Sequence, residues 1–298
     1  MRFQFIKDHQ DEFPVTRACQ ELEVSPSGYY AWRHRPPSAR EMANQELFKK
    51  IEAVYNDNEG VYGSPRIYHE LKSQGVACSK NRVARLMKLR RLRAKRVRRY
   101  KSTTKRNKKH RAAPNLLKRD FTTDRPDHKW LSDITYISTQ EGWLYLAAIL
   151  DLYTRRIVGW AMSKRMTGDL TRTALRMAIG QRRPTAGLIH HSDQGSQYTD
   201  HAYQALLKAE GVQISMNGVG IWYDNAPMES FFGTLKNERV HHRVYRTRDE
   251  ARSDLFYYIE AFYNRRRRHS SLDYLCPEAY EQLYHNRHEL RLSPCPPN

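Results

Sequence analysis

Apolar positions change their rhythm along this chain, and the change falls near Asp120. Upstream, the spacing is helical. Val15 to Leu22 and Ser25 to Trp32 form two short helical patterns, the second opened by Ser25-Pro26 as N-cap and first-turn proline. Gln45 to Tyr55 places Leu47, Ile51 and Val54 on one face. Gly63-Ser64-Pro65 opens a helix that runs through Leu71 and breaks at Gly75; Ser79 then caps a third helix holding Val83, Leu86 and Met87. Downstream, Trp130 to Ile137, Trp143 to Asp151 and Ile157 to Ser163 are rich in Ile, Leu, Tyr and Trp and predict three consecutive strands. A helix from Asp169 to Gln181, a strand from Gly187 to His191, a helix from His201 to Glu210, a strand from Val212 to Met216 and a long helix from Asn225 or Ala226 to Glu238 follow.

Three strands followed by alternating helices and strands predict a mixed α/β sheet covered on both faces, the order of a ribonuclease H-like domain, preceded by all-α units. The middle helices, with Asn81, Arg82, Arg85 and Lys88 on the last of them, have the layout of a helix-turn-helix. The expected division is a helical unit at 1–38, a helix-turn-helix domain at 39–95, a basic linker at 96–122, a catalytic domain at 123–285 and a tail at 286–298.

Charge sharpens this picture. The formal net charge is +20, and no Asp or Glu lies between Glu70 and Asp120. From Lys88 to Arg111, 14 of 24 residues are Lys or Arg, more than a solvated helix face needs, so phosphate neutralisation is the better account. Arg90 and Arg91 belong to that run. No long amphipathic helix or apolar run of membrane length accompanies the charge, so double-stranded DNA is the expected partner and a membrane is not. Cys19, Cys78, Cys276 and Cys295 are scattered without a C-x-x-C pair, which disfavours a zinc ribbon or disulfide framework and suits a reducing cytoplasm.

Within the second region three acids stand out by position. Asp133 sits in an apolar strand, WLSDITYI; Asp193 ends a strand in LIHHSDQGSQY; Glu229 lies in the first turns of a helix in WYDNAPMESFFGTLKNE. Each alone reads equally as a structural acid or a helix-dipole partner. Together, carboxylates on rigid elements are what two divalent ions about 3.5–4 Å apart require, and hard oxygen donors favour magnesium or manganese. A zinc site at His190 and His191 is disfavoured because adjacent strand residues face opposite ways. Glu238 is the fallback for the third ligand.

These segments resemble the second-frame transposases of the insertion sequence 3 family, Asp-Asp-Glu recombinases close to retroviral integrases. The resemblance covers nearly the whole chain: FPVTRACQELEVSPSGYYAW, YGSPRIYHEL with SKNRVARLM, WLSDITYI, HSDQGSQY, YDNAPMESFFGTLK and FYNRRRRHSSLDYLCPEAY. Thirty-five residues separate Asp193 from Glu229, the interval in the family signature. It implies that Asp133, Asp193 and Glu229 bind two magnesium ions, with manganese as substitute. The implied chemistry is strand cleavage at element ends, attack of a 3′ hydroxyl on the other end to form a circle, and later insertion into a target. It also implies terminal inverted repeats as substrate, a homo-oligomer on DNA, and an upstream-frame helix-turn-helix and leucine-zipper product as partner or fusion. Lys236, seven residues after Glu229, matches the family's basic DNA-facing position and reads equally as a solvated lysine; Asn225 and Ser192 are expected to be scaffold or orienting groups and not catalysts. The chain departs from the family at Gly218-Val219, where a basic pair is usual, and at Cys276, where Ser is common. Trp222 in that loop is a candidate either for stacking on an unpaired base or for anchoring the loop. Arg266 and Arg267, in the basic cluster from Arg265 to His269, are expected to hold entering DNA, with a packing helix that ends in solvated charge as the competing reading.

Two rivals use the same features: a structure-selective nuclease that only hydrolyses, and a DNA-binding repressor in which the α/β domain merely dimerises.

Overall fold

The computed structural model describes residues 1–95, 113–217 and 225–292, without the side chains of 289–292. Three short helices, α1 (Arg2–Asp8), α2 (Val15–Glu21) and α3 (Pro26–His34), close over Ile6, Cys19 and Tyr29. Ser25 caps α3 by accepting a hydrogen bond from Gly28 N at 3.0 Å. The sequence pattern had no place for α1, because only Ile6 among its seven residues is buried and one apolar position carries no period.

The next three helices, α4 (Ala39–Asp57), α5 (Ser64–Ser73) and α6 (Lys80–Leu89), are those expected. Ser79 caps α6, its hydroxyl accepting from Arg82 N at 3.3 Å. Helix α4 begins six residues before the expected Gln45, at a cap where Ser38 Oγ accepts from Glu41 N at 3.2 Å. Its first two turns bury nothing, so the cap and not the periodicity marks the start.

Five strands follow: β1 (Lys129–Thr139), β2 (Gly142–Asp151), β3 (Ile157–Ser163), β4 (Ile189–Ser192) and β5 (Gln213–Met216). They lie in the order β3-β2-β1-β4-β5, antiparallel across β3-β2-β1 and parallel across β1-β4-β5. This mixed sheet, with its α-helical preface, is the expected ribonuclease H-like class. Helix α7 (Gly168–Arg182) joins β3 to β4, and α8 (His201–Ala209) joins β4 to β5. Both pack on the sheet face formed by Trp130, Ala147, Ile149 and Val158. Because α7 lies almost on the backbone of β3, a Cβ at Gly159 would meet Ala174 O at 2.4 Å and Ala178 Cβ at 2.7 Å. Gly159→Ala is therefore expected to destabilise the fold by on the order of 3 kcal/mol, read as a lower midpoint in urea without a change of slope.

The other face carries α9 (Ala226–Glu238) and α10 (Arg248–Phe256), with Phe231, Leu235 and Leu255 against Leu131, Leu146 and Ala148. The same core runs on into Leu47, Ile51, Ile67, Leu71 and Val83, so the helix-turn-helix units share it. Helix α10 continues as a π-helical stretch, Tyr257–Tyr263, in which Ile259 and Phe262 are buried, whereas Phe256 at the end of α10 is 53% exposed. The last helix, α11 (Pro277–Leu292), runs past the expected domain boundary at 285. Among the described residues, no helix is long and apolar enough to cross a membrane.

Candidate active site

Strand β4 is in register with β1 only from Lys129 to Leu131. Beyond Leu131, among the described residues, that edge of β1 has no further pairing until Thr139 bridges Tyr245, and the first residue there on the same face as Leu131 is Asp133. Its carboxylate, partly buried, accepts a hydrogen bond from Ile134 N at 2.7 Å. The contrast with Asp151, the fully buried acid that ends β2, is instructive. Asp151 accepts from Thr154 N, Thr154 Oγ1 and Asp127 N at 2.7, 2.7 and 2.8 Å and is a structural acid that builds a turn.

Asp193 follows directly on β4, so the parallel strand delivers it beside the open edge of β1. Gly195 N donates to its Oδ1 at 2.9 Å, and a Cβ at Gly195 would stand 2.9 Å from that oxygen. A side chain at this position would crowd the oxygen that the amide holds. The chain after β5 braces the same loop: Gln194 Nε2 donates to Asn217 O at 2.6 Å, and His191 bonds Ser215 Oγ at 2.8 Å and Asn217 Oδ1 at 2.6 Å.

Glu229 stands exposed in the first turn of α9, whose stripe of Met228, Phe231, Phe232 and Leu235 is buried. Asn225 holds the N-cap position, but its side chain donates to Ser132 O at 3.1 Å instead of capping. Lys236, two turns beyond Glu229, sets its ammonium 4.8 Å from the centre of the exposed Tyr136 ring.

The electrostatics tie these groups together. Burial, then the charge of Asp193 and then that of Glu229, push the Asp133 carboxyl up to about 8, against the pull of its Ile134 hydrogen bond and of Lys236. Burial also raises Asp193 and Glu229, and it lowers Lys236 against the opposing attraction of Asp133. Like charges held this close disfavour ionisation unless a cation joins them. Three carboxylates, whose mutual repulsion Lys236 only partly offsets at Asp133, are a hard-oxygen set that fits a divalent ion of the magnesium kind. Among the described residues, no three His, Cys, Asp or Glu side chains are already drawn tight around one point. His190 and His191 do face opposite ways: His190 Nε2 shares a hydrogen bond with Tyr203 Oη at 3.0 Å inside the core, and burial pushes it down to about 3, which leaves it neutral.

Of the residues expected to touch DNA, Asn81, Arg85, Lys88, Arg90 and Arg91 are exposed. Asn81, Arg82 and Arg85 line one concave surface with Arg40, Ala43 and Ser79. Arg82 is partly committed, its Nε donating to Asn44 Oδ1 at 2.9 Å, and Arg90 stacks over Phe48 at 5.1 Å. The linker from 96 to 112 and the loop holding Gly218-Val219 and Trp222 lie outside the described residues.

The cluster from Arg265 to His269 requires a correction. Arg267 is 4% exposed and forks onto Glu238, with Nε and Nη2 each 2.7 Å from a carboxylate oxygen, so it is built into the core and does not face DNA. Arg268 bonds Glu70, Ser73 and Tyr274 O at 2.6, 2.6 and 2.8 Å. Arg266, still exposed, donates to Asp57 O at 3.1 Å. Glu238, the fallback metal ligand, is fully engaged by Arg267, by Arg66 at 3.3 Å and by Tyr258 Oη at 2.9 Å. What the sequence reading missed is Gly195. Its only signal was the run of small and polar residues after a strand-end acid.

The chain matches three family models: an integrase core domain at residues 123–220, an HTH-like domain at 42–100 and a second integrase core domain at 229–283. It is 47% identical over 267 residues to the uncharacterized 31 kDa protein of insertion element IS600 from Shigella sonnei, spanning 90% of this chain and 98% of that one. It is 40% identical over 283 residues to transposase InsF of insertion sequence IS3A from Escherichia coli K12, spanning 94% and 98%. Among solved structures, the simian T-cell lymphotropic virus intasome in complex with a PP2A regulatory subunit aligns with a TM-score of 0.45 at 13% identity, covering 83% of this chain and 78% of that one.

Proposed function

The chain belongs to the insertion sequence 3 family of transposases, and on that premise we propose that Asp133, Asp193 and Glu229 hold two magnesium ions, or manganese in their place, where DNA strands are cut and joined. The protein is a DNA transposase with an integrase core, a class of polynucleotidyl transferases that depends on a divalent metal and assembles on DNA. Bound at the three acids, the ions supply charge stabilisation to the attacking and leaving oxygens of an in-line phosphoryl transfer.

The protein's own groups do the positioning. Gly195 N holds one oxygen of Asp193 and Ile134 N one oxygen of Asp133, so each acid has a fixed orientation. Lys236 adds a positive charge that acts on Asp133, placed to draw a phosphate of the strand toward the acids. The observation that carries the reading is the Asp133 carboxyl, raised to about 8 at the free edge of β1 by burial and by two further carboxylates. Asn81, Arg82 and Arg85 are assigned to reading the terminal inverted repeats, and Lys88, Arg90 and Arg91 to gripping phosphates. On the same proposal, an upstream-frame helix-turn-helix and leucine-zipper product joins the protein as partner or fusion.

A strand-transfer assay on labelled element ends in magnesium tests the reading. The expected result is nicking followed by joining of the freed 3′ end. Hydrolysis without joining would mark a nuclease, and binding without nicking a repressor. Replacing Asn81, Arg82 and Arg85 together by Ala should lower the preference for element ends over random DNA by about tenfold or more, since a good base contact is worth about 1–3 kcal/mol. Parallel binding titrations over a salt series check it; an equal loss on both DNAs would assign α6 to phosphate contact alone.

A further inference from the structure

Asn225, whose side chain bonds the residue before Asp133 and which lies four residues before Glu229, has a buried Oδ1 with no hydrogen-bond partner among the described residues. The residue is 4% exposed, so water does not compensate the oxygen from outside. Flipping the amide does not help. It would turn an oxygen toward Ser132 O, which now receives the Nδ2 hydrogen bond at 3.1 Å.

The placement is specific. Ser132 directly precedes Asp133 on β1, and Asn225 lies four residues before Glu229, one turn along α9. Asn is a favoured N-cap residue, yet this side chain makes no capping bond to the helix, so its carbonyl oxygen is left over for another purpose. The chemistry is also selective. A carboxamide oxygen is a hard donor of the kind that magnesium and manganese accept. It adds a donor without adding a fourth negative charge to a set whose members already raise the Asp133 carboxyl.

We propose that Asn225 Oδ1 is a fourth, neutral oxygen of the divalent-cation site, an inference that rests on the three-carboxylate reading above. Its Nδ2 bond to Ser132 O keeps that oxygen aligned with β1, so the N-terminus of α9 and the open strand edge are set relative to each other before the ion arrives.

The test is calorimetric titration of manganese into the full-length protein without DNA, with thermal melting recorded alongside. Asn225→Leu, close in shape but lacking both polar atoms, is expected to weaken manganese binding by about tenfold or more. Asn225→Asp, which restores an oxygen, should bind manganese more tightly than the leucine variant. Asp133→Asn serves as the control and should lose binding. A leucine variant that melts earlier but binds manganese like the parent, while Asp133→Asn does not, would make Asn225 a tether for α9 and overturn the proposal alone. If Asp133→Asn also binds manganese like the parent, the three-carboxylate reading falls, and the Asn225 assignment falls with it.

Discussion

Asp133→Asn should abolish both nicking and strand transfer, by about three orders of magnitude or more, while leaving binding to element ends near that of the parent. The amide preserves the shape of the side chain but removes the charge that a dication needs, and metal support of a phosphoryl transfer is worth several kcal/mol. Asp193→Asn and Glu229→Gln should behave alike, and Glu238 cannot substitute because Arg267, Arg66 and Tyr258 already hold it. Binding and turnover measured on the same labelled ends check this; near-normal turnover by any of the three amides would remove that residue from the site. The raised Asp133 carboxyl adds a signature in stability. Between the unfolded value of about 4 and the folded value of about 8, the native protein keeps a proton that the unfolded chain has released. Metal-free stability should therefore fall as the pH rises through that window. Asp133→Asn should flatten the slope and melt later than the parent at pH 8 in a chelator, and magnesium should stabilise the parent but not the variant.

The strands were legible because their apolar runs are continuous: β2 is buried on both faces over most of its length, and WLYLAAIL has no other home than a sheet interior. Two of the three candidate acids stand out in the sequence for the opposite reason: Asp133 interrupts such a run and Asp193 ends one. Helix α1 and the first turns of α4 were not legible, since burial rather than propensity writes a period into sequence and these turns bury almost nothing. The sequence marks Asn225 only as a scaffold or orienting group, because its hydrogen bond to Ser132 O, ninety-three residues away, is encoded by no local spacing. Arg267 failed for a related reason: a row of arginines looks solvated until the chain brings a carboxylate from α9 beneath one of them.

That burial turns the basic cluster into a prediction about folding. Arg267→Ala would strip Glu238 of its two-pronged partner and leave the acid with Arg66 at 3.3 Å and Tyr258 Oη at 2.9 Å in a nearly closed site. Removing one member of a buried pair generally destabilises by about 3–5 kcal/mol, because the remaining charge stays buried without its partner. For a chain of this size, that corresponds to a melting temperature lower by on the order of 10 °C. The loss should also loosen the helix-turn-helix units from the catalytic domain, because Arg66 of α5 and Tyr62, which donates to Arg266 O and accepts from Arg268 N, meet the same segment. High salt should not reproduce the defect in the parent, since a bonded and buried pair is screened far less than a surface contact with phosphate. Arg265→Ala, at an exposed position, supplies the comparison and should leave melting nearly unchanged. Calorimetric melting of both variants, paired with strand transfer below the variant's transition, separates the two roles. An Arg267→Ala protein that melts like the parent yet fails to bind DNA would return the residue to the nucleic-acid surface.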